Sequence, residues 1–298
     1  MLTRLSVVAG AAALGLASAI GSGAATRQES GLILYRTPPS TTATPAVVQL
    51  WTTDGAGTNA REVISLEPVG ASEALRSAYL VPDGLVLAEP SPADGNVSEL
   101  AFVKRGSHRA RILFSVRGLY SFRPSPDGSE IVYSRSLPVA GKPLLMVVRR
   151  DGSLVRTLAH ATSKSLSWSS DGRRIFAYGV NADCWFCVFS AATGKQGAIS
   201  SINLDNLWGG WPSVSPSGKK VAFPDAKGPA GERIYTTRGG FLRNLVGAAA
   251  PYAFWSPDDA RLLLQPQDAP PRLFSFRTKA LTRFRHDGPP DLIALDWR

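Results

Sequence analysis

Residues that usually carry chemistry are scarce in this chain: three histidines, two cysteines and two methionines occur among 298 residues. His108, His160 and His286 stand apart from one another, so no histidine-based zinc motif is written in the sequence. A Gly-x-Ser-x-Gly nucleophile elbow is absent, which removes the local signature of a serine hydrolase. No segment sustains a helical period of apolar residues, and the expectation is an all-β chain. Acidic residues are outnumbered, 23 Asp+Glu against 33 Lys+Arg, for a formal net charge of +10. Such an excess suits anionic partners such as nucleic acid, acidic glycans or lipid headgroups. Yet the cations form no run longer than two, a scatter that fits a merely basic soluble protein equally well. With no recognised RNA or DNA module, nucleic acid is not an expected partner.

What is present begins with an N-terminal segment. Arg4 supplies a short positive region, Leu5 to Ile20 an apolar one, and Gly23-Ala24-Ala25 a small-x-small site before Thr26. Residues 1–25 therefore read as a signal peptide, and the mature chain as exported: periplasmic, associated with the cell envelope, or secreted. No cysteine lies near the site, which argues against a lipid anchor. Residues 5–26 are uncharged and long enough to stay in a bilayer as an uncleaved anchor. Their richness in Gly, Ala and Ser makes them weakly hydrophobic, and cleavage is the reading adopted.

The mature chain, 44% hydrophobic and 19% charged in the whole sequence, is globular in composition. It is organised around Ser125-Pro126-Asp127-Gly128. Related stretches stand at Val81-Pro82-Asp83-Gly84, Ser170-Asp171-Gly172, Ser215-Pro216-Ser217-Gly218 and Ser256-Pro257-Asp258-Asp259. The Asp position recurs at 83, 127, 171, 217 and 258, in steps of 44, 44, 46 and 41 residues, a period that marks a repeat architecture. Each turn has a mechanical reading. Proline presets φ, the aspartate (Asp83, Asp127, Asp171, Asp258) bonds neighbouring backbone N–H groups, and glycine accepts φ > 0. Those residues are read as a hairpin device, not as a ring of acids or as the surface that touches a ligand.

Short apolar runs flank every turn, and four strands fit one period. Unit-opening strands are expected at 76–81, 118–124, 164–169, 211–215, 251–256 and 291–297. The last, Asp291 to Arg298, stops where its turn should begin. The first mature strand, Ile33-Leu34-Tyr35, matches the post-turn strand Ile131-Val132-Tyr133. The C-terminal strand thus supplies the missing first strand of the first unit. Residues 26–298 are expected to form a single six-bladed β-propeller of four-stranded antiparallel blades, closed by that strand and monomeric.

An aromatic or small residue, then Ser-Pro-Asp-Gly, then an Ile/Val-x-Tyr/Phe strand resembles the WD40-like (PD40) repeats of TolB-type propellers. Residues 124–133, 168–178, 214–223 and 255–264 carry the resemblance. It implies a propeller used in binding proteins, in modules attached to serine peptidases and in many secreted proteins. TolB proper has an α/β domain ahead of its propeller, whereas about five residues precede the first strand here.

Cys184-Trp185-Phe186-Cys187 lies among strand-like residues rather than at a helix N-terminus, which disfavours a redox pair. As a zinc half-site it lacks a second pair. A disulfide in an exported protein is the expectation, with free or packed thiols as the alternative. No catalytic residue, cofactor or metal site is assigned. The loops leading into the inner strands bring Arg117, Tyr120, Lys164, Trp208, Trp211 and Tyr252 to one mouth of the channel, where aromatics beside cations suit a protein, peptide or envelope glycan. A plainer reading packs Trp211 and Tyr252 between units and leaves only Trp208 in solvent. Two functions follow: an exported, non-catalytic binding or scaffold propeller, or a propeller enzyme such as a metal-dependent hydrolase, lactonase or glycan lyase.

Overall fold

The computed structural model describes residues 31–298 apart from 38–47, 67–76, 92, 108, 137–143, 182–183, 198–211, 226–230, 247–249, 251, 267–269 and 290–292. The chain is a six-bladed β-propeller, with six antiparallel sheets arranged as a ring. Blade 2 is built from Ser77–Val81, Gly84–Pro90, Val97–Lys104 and Ala110–Arg117, in that order from the channel outward. Blade 3 is Leu119–Pro124, Glu130–Arg135, Leu144–Arg149 and Leu154–Ala159. In blade 4, Ser165–Trp168, Arg174–Asn181 and Cys184–Ser190 make three strands. The fourth strand that the four-per-period pattern calls for is represented among the described residues by one bridge, Phe189 to Gln196. Blade 5 is Ser213–Val214, Lys220–Asp225, Gly231–Thr236 and Phe241–Val246; blade 6 is Tyr252–Trp255, Arg261–Gln265, Arg272–Ser275 and Leu281–Arg283.

Blade 1 closes the ring as expected. Its inner strand is Ile293–Trp297, paired to Leu32–Arg36, followed by Val48–Asp54 and Arg61–Leu66. Ile33 faces Trp297, Leu34 faces Asp296, and the Arg298 N–H donates to the Leu32 carbonyl at 2.8 Å. Ala110–Arg117 was not legible as a strand. It is the outer strand of its blade, seven of its eight side chains are exposed or partly exposed on both faces, and Gly118, at φ 67°, turns it directly into the next blade.

Strand alternation explains the core. In the second strand of each blade, successive side chains point to the preceding and to the following blade. Leu85 and Leu87 join Leu34 and Leu50 of blade 1, while Val86 and Ala88 join Ile131 and Tyr133 of blade 3. The same alternation gives one apolar cluster at each of the six blade interfaces. Each buried Leu, Ile or Phe stabilises its interface by roughly 1.5–3 kcal/mol, so the ring is held side to side rather than by one central core. Indole N–H groups add stitches: Trp168 donates to the Arg123 carbonyl of blade 3 at 3.1 Å, and Trp255 to the Ser213 carbonyl of blade 5 at 2.9 Å.

The repeated turn depends on its serine. Ser125, buried, donates its hydroxyl to Asp127 at 2.6 Å and accepts the Glu130 N–H at 3.0 Å, while Gly128 sits at φ 73°. Ser169 with Asp171 and Ser256 with Asp258 repeat the arrangement. Where glycine is missing, Asp259 takes φ 57°. Blade 2 differs: with Val81 in place of the serine it makes a two-residue turn, Val81 facing Gly84, and Asp83 points outward to Arg150 of blade 3 in a double hydrogen bond at 2.8 Å.

Candidate functional site: the central channel

The six inner strands surround a cavity of about 530 Å³. Its two ends differ because all inner strands run in the same direction along the axis. Strand starts place Tyr120, Lys164 and Tyr252 at one end, the mouth; turns place Pro126, Pro216 and Pro257 at the other. The prolines of the repeated motif therefore line the channel, which reading them as a hairpin device did not anticipate. Adjacent turns approach closely there, the Ser170 N–H donating to the Pro216 carbonyl at 2.5 Å.

A charged cluster crosses the channel. Asp296, 1% exposed, accepts from Arg123 Nη2 at 2.7 Å and from the Leu80 N–H at 2.9 Å, and lies 3.7 Å from Arg298 Nε. One carboxylate of blade 1 thereby binds blades 2 and 3. The Arg123 guanidinium lies 4.2 Å over the Tyr79 ring. Burial works against its charge, but Asp296 and Tyr79 more than offset this, and its pKa stands above the ordinary arginine value. Arg298 reaches the Pro124 carbonyl at 3.2 Å. Burial pulls its pKa down to about 10 despite Asp296.

Among the described residues, four cations (Arg36, Arg123, Lys164, Arg298) and one carboxylate (Asp296) line the cavity. Arg36 carries a buried Nε without a hydrogen-bond partner among the described residues. The lining can therefore neutralise acidic groups and present aromatic faces to a chain or small molecule entering at the mouth.

Of the residues expected at the mouth, Tyr120, Lys164 and Tyr252 are brought together there. Tyr120 is 48% and Tyr252 45% exposed, which corrects the plainer reading that packed Tyr252 between blades. Arg117 does not line the cavity; it pairs with Asp94 at 2.6 Å on the same face. Trp208 and Trp211 lie outside the described residues. Cys187 is disulfide-bonded, and Cys184 is the one other cysteine of the chain. Its side chain lies outside the described residues. Asp127, Asp171 and Asp258 serve their turns, and Asp83 its arginine. Missed altogether were Arg36, Tyr79, Arg123, Asp296 and Arg298. A lone acid at 296 inside a strand of apolar and aromatic residues was the available signal, since such a strand buries it.

No family model and no curated protein matches the chain. Solved structures do. TolB from Acinetobacter baumannii is 14% identical, with a TM-score of 0.66 over 91% of this chain and 67% of that one. A putative TolB from Agrobacterium tumefaciens is 14% identical, with a TM-score of 0.56 over 89% and 96%. The β-propeller domain of Cps50 (Swd1) from Myceliophteria thermophila is 12% identical, with a TM-score of 0.54 over 76% and 80%. At these identities the likeness is one of fold.

Proposed function

We propose that this chain is an exported, non-catalytic binding propeller whose central channel receives an acidic segment of a protein or envelope glycan through the mouth formed by Tyr120, Lys164 and Tyr252. The observation that carries this is the cavity lining: four cations against one carboxylate, with two half-exposed tyrosines at the opening. Aromatic and cationic side chains at a concave opening supply most of the binding energy in comparable interfaces. Export rests on residues 1–25, and mass measurement of the mature N-terminus tests it; a chain beginning at Thr26 is expected. For binding, immobilised protein is used to capture partners from envelope extract, with Tyr120→Ala/Lys164→Ala/Tyr252→Ala as the comparison. A specific captured species that is lost in the triple variant, at unchanged melting temperature, is the expected result. Equal capture by both proteins would remove the mouth from consideration.

A further inference from the structure

The cations that are scattered in sequence are gathered by the fold. Strand-connecting turns fall on two faces. On the mouth face, the Gly118 N–H donates to the Asn96 carbonyl and the Lys164 N–H to the Tyr178 carbonyl. On the opposite face, the outer turns of each blade meet the inner ones: Arg105 N–H donates to the Asp83 carbonyl at 2.8 Å, and Arg150 N–H to the Ser129 carbonyl at 3.0 Å. Each of these contacts ties two turns within one blade, and the double hydrogen bond from Arg150 of blade 3 to Asp83 of blade 2 sets the turns of the two blades side by side. Lys104, Arg105, Arg109 and Arg111 come from one, Arg149 and Arg150 from the other.

The acids nearby are already engaged. Asp83 is held by Arg150, Asp151 by the Ser153 N–H and hydroxyl, and Glu130 lies 3.9 Å from Arg156. Lys104, Arg109, Arg111 and Arg149 are exposed, and no side-chain hydrogen bond or ion pair holds them among the described residues. Between Arg111, Arg149 and Arg150 lies a shallow hollow of about 430 Å³, which Asp151 also lines, so three arginines face one carboxylate there; the lining includes Ile112, 45% exposed. Leu154, on the outer strand of blade 3, is 56% exposed. Arginines alone would suit any polyanion. An isoleucine left in water among them suits a surface that has anionic headgroups above an apolar layer.

We propose that this rim of blades 2 and 3 is a docking surface for a bilayer rich in anionic phospholipid. The propeller then rests on the membrane by this edge of its turn face, with the turns of blades 4 to 6 tilted away from the lipid and the channel mouth open to partners. This stands independently of what the channel binds.

The test is flotation of the full chain with vesicles of phosphatidylcholine alone or with one third phosphatidylglycerol. The N-terminal segment with Arg4 is common to every variant, so the comparison between variants on anionic vesicles isolates the patch. Binding to the anionic vesicles is expected to be at least about tenfold tighter and to weaken as salt rises. Each arginine near the surface contributes about fivefold, so Arg105→Gln/Arg109→Gln/Arg111→Gln/Arg149→Gln should lose on the order of several hundredfold. Removing four cations from blades 4 to 6 instead (Lys195→Gln/Lys219→Gln/Arg277→Gln/Lys279→Gln) should change it by less than about threefold, if the patch and not net charge is responsible. Ile112→Ser should weaken vesicle binding severalfold while leaving heparin retention unchanged. Should the quadruple patch variant melt early, Arg111→Gln alone decides, with the fivefold loss expected. The proposal is overturned if both quadruple variants lose binding equally, if neutral and anionic vesicles bind alike, or if heparin is retained while vesicles are not.

Discussion

Asp296 offers the sharpest test of how the ring is closed. Replacing it by alanine removes the acceptor of the Leu80 N–H and the counter-charge of Arg123, and leaves Arg123 and Arg298 together in the channel. Breaking a buried ion pair from one side costs about 3–5 kcal/mol, because the remaining charge stays desolvated without compensation. Arg123 retains 22% side-chain exposure, which places the expected loss near 3 kcal/mol, or a melting temperature lower by about 6 °C for a domain of this size. Asp296→Asn keeps an acceptor for Leu80 and should lose less. The decisive variant is Asp296→Ala/Arg123→Met. With the stranded guanidinium gone, it should recover at least about 1 kcal/mol relative to the sum of the two single changes. Urea unfolding of the four proteins provides the cycle. A single-variant loss below about 1 kcal/mol, or strict additivity, would refute the view that this acid clamps blades 1, 2 and 3 together.

Two further predictions concern carboxyls, one partly and one fully buried. Glu89 faces Glu99 across adjacent strands of blade 2, and burial, followed by that like charge, pushes its pKa up to about 7. Its folded value lies above the unfolded one, so its favourable contribution is complete below about pH 4.3 and is lost as pH rises through 7, a decline on the order of 3 kcal/mol. Glu89→Gln should flatten urea midpoints measured between pH 4.5 and 7.5; retention of the wild-type slope would exclude Glu89 as its source. Glu232 of blade 5 is fully buried, neither carboxyl oxygen has a hydrogen-bond partner among the described residues, and burial raises its pKa well above the ordinary range. Glu232→Met should therefore stabilise the fold at pH 7 by about 1–3 kcal/mol, with the gain shrinking toward pH 4.5 as the unfolded chain's carboxyl approaches half protonation. A gain independent of pH, or a loss, would contradict this.

The outcome for the candidate mouth shows where reading residues in order stops being enough. Tyr120, Lys164 and Tyr252 meet at one end of the cavity because each stands at or beside the start of an inner strand, a position the repeat itself defines. Arg117 failed the same reasoning. It ends an outer strand, and its partner Asp94 lies in a loop of the same blade, a pairing that no periodicity announces. Asp127 could be assigned to its turn from local spacing, since its partners are two residues away on either side. Asp83, in a stretch that looks alike, instead reaches Arg150, 67 residues later, because Val81 removes the serine that organises the other turns.

Period and strand alternation are local properties, and they sufficed to determine an all-β ring of six units closed by the C-terminal strand. Each blade must bury two faces, and a repeat of about 44 residues that opens mid-unit can do so only by pairing its ends. Charge is not local in that sense. Asp296 meets Arg123 across 173 residues, and Arg111 meets Arg149 and Arg150 across a blade boundary. Only the stacking of one blade against the next, which sets side chains from distant repeats within a few ångströms, decided that the channel is cationic and that scattered arginines form one surface.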